Sequence, residues 1–157
     1  RIRTILRFVQ ATHTKRTCDA VEMEIKHEVN VGPMTLVGKI DRLEKQGDAY
    51  SIHDYKTGNT PAPKDMKLGL EPQLIAYALM LHESRGTLPE ELLYWALPKA
   101  RFAGELVNYE LGDQPLEQHT ESLRSALSAI LEEDFAFHAL NAQSDYAGIS
   151  RNDEWAA

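Results

Sequence analysis

Three alternating runs separated by two short turn signals constrain this chain more than anything else in it. V-E-M-E-I-K-H-E-V-N-V (21–31), the run from Met34 to Glu44, and A-Y-S-I-H-D-Y-K (49–56) repeat with the period of two that belongs to strands. Gly32-Pro33 parts the first two and Gly47-Asp48 the second pair, the glycine supplying the positive φ of a tight hairpin. With Gly47 and Asp48 as the loop, Gln46 faces Ala49, Asp41 faces Asp54 and Lys39 faces Lys56. A four-residue loop from Gln46 to Ala49 gives the same register.

The flanking pattern is helical. Ile2, Ile5, Leu6 and Val9 recur at helix spacing over 2–13, with Arg1, Arg3 and Arg7 on other faces. T-G-N-T-P-A-P-K reads as a loop, and E-P-Q-L-I-A-Y-A-L-M-L-H-E (71–83) as a helix with Pro72 in its first turn. Strands are expected at 91–97 and 105–111. A last helix runs from Pro115 to about Leu140 on a stripe of Leu116, Leu123, Leu127, Ile130 and Leu131. The order α-β-β-β-α-β-β-α, with no Gly-rich phosphate loop after a strand, predicts an α/β chain with a mixed sheet flanked by helices.

At 157 residues with 43% hydrophobic and 26% charged content, the chain reads as one domain spanning 1–157, with residues 141–157 an irregular tail. Its opening inside a helical phrase suggests a piece of a longer protein. No membrane-length apolar run or signal peptide is present, so a soluble, intracellular chain with no membrane partner is expected. The single Cys18 excludes an internal disulfide or a cysteine-rich metal site. A net charge of −7 counts against gripping nucleic acid by overall charge, although acids that hold divalent cations lower net charge while attracting phosphate through the metal.

Chemistry concentrates on the third strand. Asp54 and Lys56 share a face, with Tyr50 and Ile52 behind them, and Asp41 opposes Asp54 across the hairpin. Facing carboxylates about 5 Å apart repel unless one is protonated, a lysine neutralises them or a divalent cation bridges them. Lys56 and Lys39 offer the second remedy, and a hard ion such as Mg²⁺, content with two carboxylates and a carbonyl, the third. The plain alternative is a solvated hairpin with a weak surface network of acids and lysines. Glu22 and Glu24 share one face of the first strand, opposite Val21, Met23 and Ile25, and read as solvent-exposed. Arg42 and His53 point away from Asp41 and Asp54 and read as structural; His13 and His27 show no ligand spacing.

G38-K39-I40-D41-R42, I52-H53-D54-Y55-K56-T57-G58 and Q73-L74-I75-A76-Y77-A78-L79, in that order, resemble the nuclease domain of the RecB/AddB group within the PD-(D/E)XK superfamily. The resemblance runs from about Val21 to Leu81 and more loosely to about Leu140. It implies a restriction-endonuclease-like core and a Mg²⁺- or Mn²⁺-dependent DNA nuclease, an exonuclease of DNA repair and recombination. Asp41, Asp54 and the carbonyl of Tyr55 are then metal ligands, Lys56 the catalytic lysine, and Gln73 and Tyr77 further catalytic-site residues. DNA and a helicase domain or subunit are the implied partners, in a bacterial, nucleoid-associated cytoplasmic setting.

Two departures qualify it. The family's further metal-ligating histidine lies on an upstream helix, before this chain begins. Where an iron–sulfur subset carries cysteines, this chain has Asn141, Ser144 and Ser150, so no iron–sulfur cluster is expected. The competing expectations are an inactive nuclease-fold module that supports or guides DNA in a helicase–nuclease complex and, more weakly, a hydrolase of another phosphate ester.

Overall fold

The computed structural model describes residues 2–130. Along the chain come α1 (Ile2–His13), β1 (Ala20–Val31), β2 (Met34–Gln46), β3 (Ala49–Lys56), α2 (Pro63–Lys67), α3 (Gln73–Arg85), β4 (Glu91–Ala96), β5 (Glu105–Asn108) and α4 (Leu116–Ala129). The strands form one sheet in the order β1-β2-β3-β4-β5. Only β3 and β4 pair in parallel, and a parallel step needs a crossover, which α2 and α3 provide. This is the expected α/β restriction-endonuclease-like core.

The Gly47-Asp48 turn forms as read: Gln46 faces Ala49, Gly47 has φ +58°, and its N–H donates to Asp19 Oδ2 at 2.7 Å. The short α2 lies inside the expected loop and starts on Pro63, whose fixed φ suits a first helical turn. β5 stops at Asn108 rather than residue 111. The expected reach of the last helix to Leu140 and the tail at 141–157 lie outside the described residues.

α3 covers the front face of the sheet. Its Leu74, Ile75, Ala78 and Leu81 bury against Ile40, Leu43, Ile52 and Tyr94, and α4 packs beside it through Leu116 and Leu123. Gly38 sets how closely α3 approaches. A Cβ there would lie 2.7 Å from Met80 Cε and 3.2 Å from Tyr77 Cε1, so a bare backbone lets the helix down onto β2. α1 lies over the back face, where Phe8 meets Trp95 edge-on at 6.2 Å and His13 meets Arg42.

One rung of the sheet is irregular, and it corrects the face assignment made for β1. The register passes from Met23–Arg42 to Ile25–Ile40 with no pairing of Glu24 to Asp41, and Glu24 has φ +54°. Met23 and Arg42 touch on the back face, whereas Ile25 and Ile40 join the front core. Both strands therefore reverse their in–out alternation at this rung, so Ile25 does not share a face with Met23. A glutamate in the left-handed region costs about 1–2 kcal/mol. Local breaks of this kind re-aim side chains near functional sites.

Candidate functional site

The same rung opens the other side of β2. Its ladder with β3 begins at Arg42–His53, so beyond that pair the two strands part and Asp41 is held by neither neighbour's ladder. Its carboxylate fills the gap: Asp41 Oδ2 accepts from the backbone N–H of Tyr55 at 3.0 Å. Even-numbered residues of β3 bond toward β4, as the contacts of Tyr50 and Lys56 carbonyls with Glu90 and Leu97 show. The N–H and C=O of Tyr55 consequently face the β2 side, where Asp41 sits.

The separation of β2 from β3 removes both expected facing pairs from the ladder, Asp41 with Asp54 and Lys39 with Lys56. Lys39 does not oppose Lys56; its ammonium pairs with the exposed Glu24 at 2.8 Å. Lys39 therefore takes no part in neutralising Asp41 and Asp54.

On the front face of β3, Asp54 is 4% exposed, and Lys56 Nζ lies 2.9 Å from its Oδ2. Gln73, in the first turn of α3, bridges the two. Its Oε1 accepts from Lys56 at 2.6 Å and its Nε2 donates to Asp54 Oδ1 at 2.8 Å. This orientation of the amide is forced, since a carboxylate only accepts and an ammonium only donates. Nε2 also reaches the Tyr77 hydroxyl at 3.2 Å, leaving the phenolic proton free to point elsewhere. One helical turn separates Gln73 from Tyr77, so both lie on the same stripe of α3.

Tyr94 belongs to this cluster and was missed in the sequence. It pairs with Asp54 across the parallel β3–β4 step, and Lys56 Nζ stands 5.2 Å from its ring centroid. Burial pushes its hydroxyl well above the usual tyrosine range, with Tyr109, Asp54, Glu71 and Tyr77 adding to the shift. The register of a parallel pair is set by the crossover between its strands and leaves no local signal, so nothing in the sequence ties residue 94 to residue 54.

A divalent cation fits the donor set in one specific respect. Asp54 Oδ2 is buried and, despite its proximity to Lys56, lacks a well-directed hydrogen bond, a costly state for a carboxylate oxygen and a suitable one for a ligand. Hard oxygen donors from Asp41, Asp54 and the Tyr55 carbonyl suit a hard ion. Among the described residues no third acid or histidine joins these two aspartates in a ligand-sized cluster.

One three-residue cluster of that size does occur, His13, Cys18 and Glu44, but on the back face. Glu44 there is held by Arg16 at 2.6 Å and Arg42 at 2.6 Å, and Arg42 also occupies His13 Nδ1 at 2.8 Å. Two guanidinium groups already satisfy the carboxylate, so a cation would meet like charge. Arg42 forms the structural ion pair expected of it. His53 accepts from Trp95 Nε1 through Nδ1 at 2.7 Å, which places the ring proton on Nε2, facing Glu44 Oε2 at 3.4 Å. Burial lowers its pKa to about 4 despite Glu44, so it is neutral.

The sequence profile described as the PD-(D/E)XK nuclease superfamily matches residues 1–142. The chain belongs to the PD-(D/E)XK nuclease superfamily. Superfamily members are generally hydrolytic nucleases and typically use divalent metals. Uncharacterized proteins of Rickettsia bellii, Rickettsia felis and Rickettsia conorii are 37%, 34% and 36% identical over 75, 82 and 75 residues. These matches cover 45%, 49% and 45% of this chain. They span only 9%, 10% and 9% of the relatives, so the chain corresponds to a small part of those proteins. No described helix is long and apolar enough to cross a membrane.

Proposed function

We propose that this chain is the nuclease domain of a RecB/AddB-like protein and hydrolyses DNA phosphodiester bonds as a Mg²⁺- or Mn²⁺-dependent exonuclease in repair and recombination. The observation that carries the reading is the Gln73 amide, which ties the Lys56 ammonium to the buried Asp54 carboxylate within a three-membered hydrogen-bonded set. An ordinary surface ion pair has no reason to be bridged by a glutamine from another element. The helicase partner and the nucleoid-associated, cytoplasmic setting belong to the same proposal; the matched stretch is 9% and 10% of two relatives' length, which leaves room for a further domain in a protein of that kind.

Asp41, Asp54 and the Tyr55 carbonyl would hold the ion, whose chemistry there would be to polarise a phosphoryl oxygen and lower the pKa of coordinated water. Lys56, with two donors left after Gln73 takes one, stabilises charge that builds on the phosphate. Gln73 keeps the ammonium and Asp54 in fixed relation, and the Tyr77 hydroxyl offers a further donor beside them. Tyr94 supplies a face on which Lys56 rests, so the ammonium keeps its place without a second carboxylate.

A catalytically inactive module that guides DNA in a helicase–nuclease complex is the second reading, and it is favoured by the absence of a third acidic or histidine ligand beside Asp41 and Asp54 among the described residues. Cleavage of linear DNA by the full-length protein separates the two. Asp54→Asn preserves an acceptor for Gln73 and is expected to reduce Mg²⁺-dependent cleavage by at least about 1,000-fold with an unchanged melting temperature. Wild-type cleavage by that variant overturns the nuclease reading, and absence of cleavage in the parent favours the inactive module.

A further inference from the structure

The chain is acidic, yet the segments around the end of β3 are not. Residues 2–11 of α1 carry Arg3 and Arg7, 55–64 carry Lys56 and Lys64, and 92–104 carry Lys99 and Arg101, and none of the three holds an Asp or Glu; Lys15 and Arg16 lie at the opposite end of β3, beside Glu44, Glu90 and Glu91. The fold brings the three segments together. Leu97 N–H donates to the Lys56 carbonyl at 2.9 Å, and Lys99 Nζ donates to Asn59 Oδ1 at 2.9 Å. Phe8 of α1 packs on Trp95 and lies against Pro98 and Gly104 of the β4–β5 connection.

The tip of that connection is preorganised. Lys99 and Phe102 exchange backbone hydrogen bonds of 2.9 and 3.3 Å around Ala100-Arg101, an isolated β-bridge that sets their side chains next to each other. Gly104, at φ +89°, has no room for a Cβ against Phe8 and Pro98, so the arm is braced from behind. In front of it is a cavity of about 430 Å³ lined by Gly58, Asn59, Thr60, Ala96, Lys99, Phe102 and Glu105. Phe102 is 36% exposed, and Arg101 beside it is exposed.

We propose that this surface is a track for single-stranded DNA leading to Lys56, with Phe102 stacking one unpaired base in the cavity and Lys99 and Arg101 contacting the flanking phosphates. The proposal rests on the nuclease reading above. An aromatic face at the mouth of a pocket suits an unpaired base, because in a duplex both faces of each base are covered by its neighbours. A surface on which Lys56, Lys99 and Arg101 outnumber Glu105, on a chain of net charge −7, suits a polyanion. Glu105 is the one acid lining the cavity, and its repulsion would hold the backbone on the Lys99 side.

The test is fluorescence anisotropy with a labelled oligothymidylate, using the full-length protein carrying Asp54→Asn without divalent ion, so that binding is read apart from cleavage. Phe102→Ala is expected to weaken oligothymidylate binding roughly 5- to 100-fold, Phe102→Trp to retain it, and duplex binding to change by less than about twofold. Lys99→Ala with Arg101→Ala should flatten the salt dependence by about 1.4, two phosphates at about 0.7 each. Parental affinity in Phe102→Ala, or an equal loss for duplex and single strand, overturns the track. Either result leaves the cleavage test of Asp54 untouched, so failure of the track and failure of the nuclease reading are separable.

Discussion

The two faces of β3 carry similar side chains and use them in opposite ways. On the back, His53 is enclosed by Trp95, Arg42 and Glu44, and each Glu44 oxygen has a guanidinium at 2.6 Å. On the front, Asp54 is nearly as buried but keeps an oxygen without a directed hydrogen bond, and Lys56 is 24% exposed. Charges that are fully answered from within the fold specify packing; charges left partly unanswered are available to a ligand. Burial alone does not distinguish the two carboxylates, whereas the satisfaction of their oxygens does, even though His53 Nε2 on the back face also lacks a directed partner.

Breaking the back face should cost stability and leave metal affinity alone. Glu44→Ala strands the buried Arg42 and leaves Arg16 with Glu91 as its remaining partner, and a loss of about 3–5 kcal/mol is expected in denaturant unfolding. Mn²⁺ affinity of the folded protein should stay within about twofold, and a large fall in it would show that the two faces are not separable.

Acid gives a graded version of the same test. The pKa of His53 falls from 6.5 in the unfolded chain to about 4 in the folded one, so between those values the unfolded state binds the extra proton. The stability associated with neutral His53 is complete above about pH 6.5 and is lost as pH drops toward 4, by up to about 3 kcal/mol. Glu22, lowered by its hydrogen bonds to Arg85, and Glu91, lowered by Arg16, act in the same direction. Unfolding midpoints across this range should decline less steeply in His53→Gln than in the parent; parallel profiles would remove His53 from the account.

A smaller change sharpens the front face. Gly38→Ala pushes Met80 and Tyr77 away from β2 and is expected to cost about 1–3 kcal/mol, while lowering kcat through the displaced Tyr77–Gln73 contact. An alanine variant with parental kcat and stability would mean that α3 yields freely at this point.

What the sequence disclosed follows the range of the interactions. The Gly47-Asp48 turn fixes the β2–β3 register locally, so the orientation of Asp54, Lys56, Ile52 and Tyr50 was readable, and so was the stripe from Gln73 to Tyr77. Lys39 was misplaced because the ladder ends at Arg42–His53, and no residue announces that separation. The reversal at Glu24 was hidden for the converse reason: the alternating string V-E-M-E-I looks regular, and only the positive φ breaks it. Tyr94 and Arg16 enter through contacts between distant segments, which strand period and turn chemistry do not encode. The break at the Glu24–Asp41 rung frees Asp41 from β1, and the end of the ladder at Arg42–His53 frees it from β3, so the two least legible features of the sheet position one of the two acids.

The account depends on Asp41 and Asp54 serving one cation. Calorimetric titration of the full-length protein with Mn²⁺ tests this most directly, run in parallel on Asp41→Ala and Asp54→Ala. One site is predicted in the parent, with affinity reduced at least about tenfold in each variant alone. Parental Mn²⁺ affinity in either variant would contradict a shared ion.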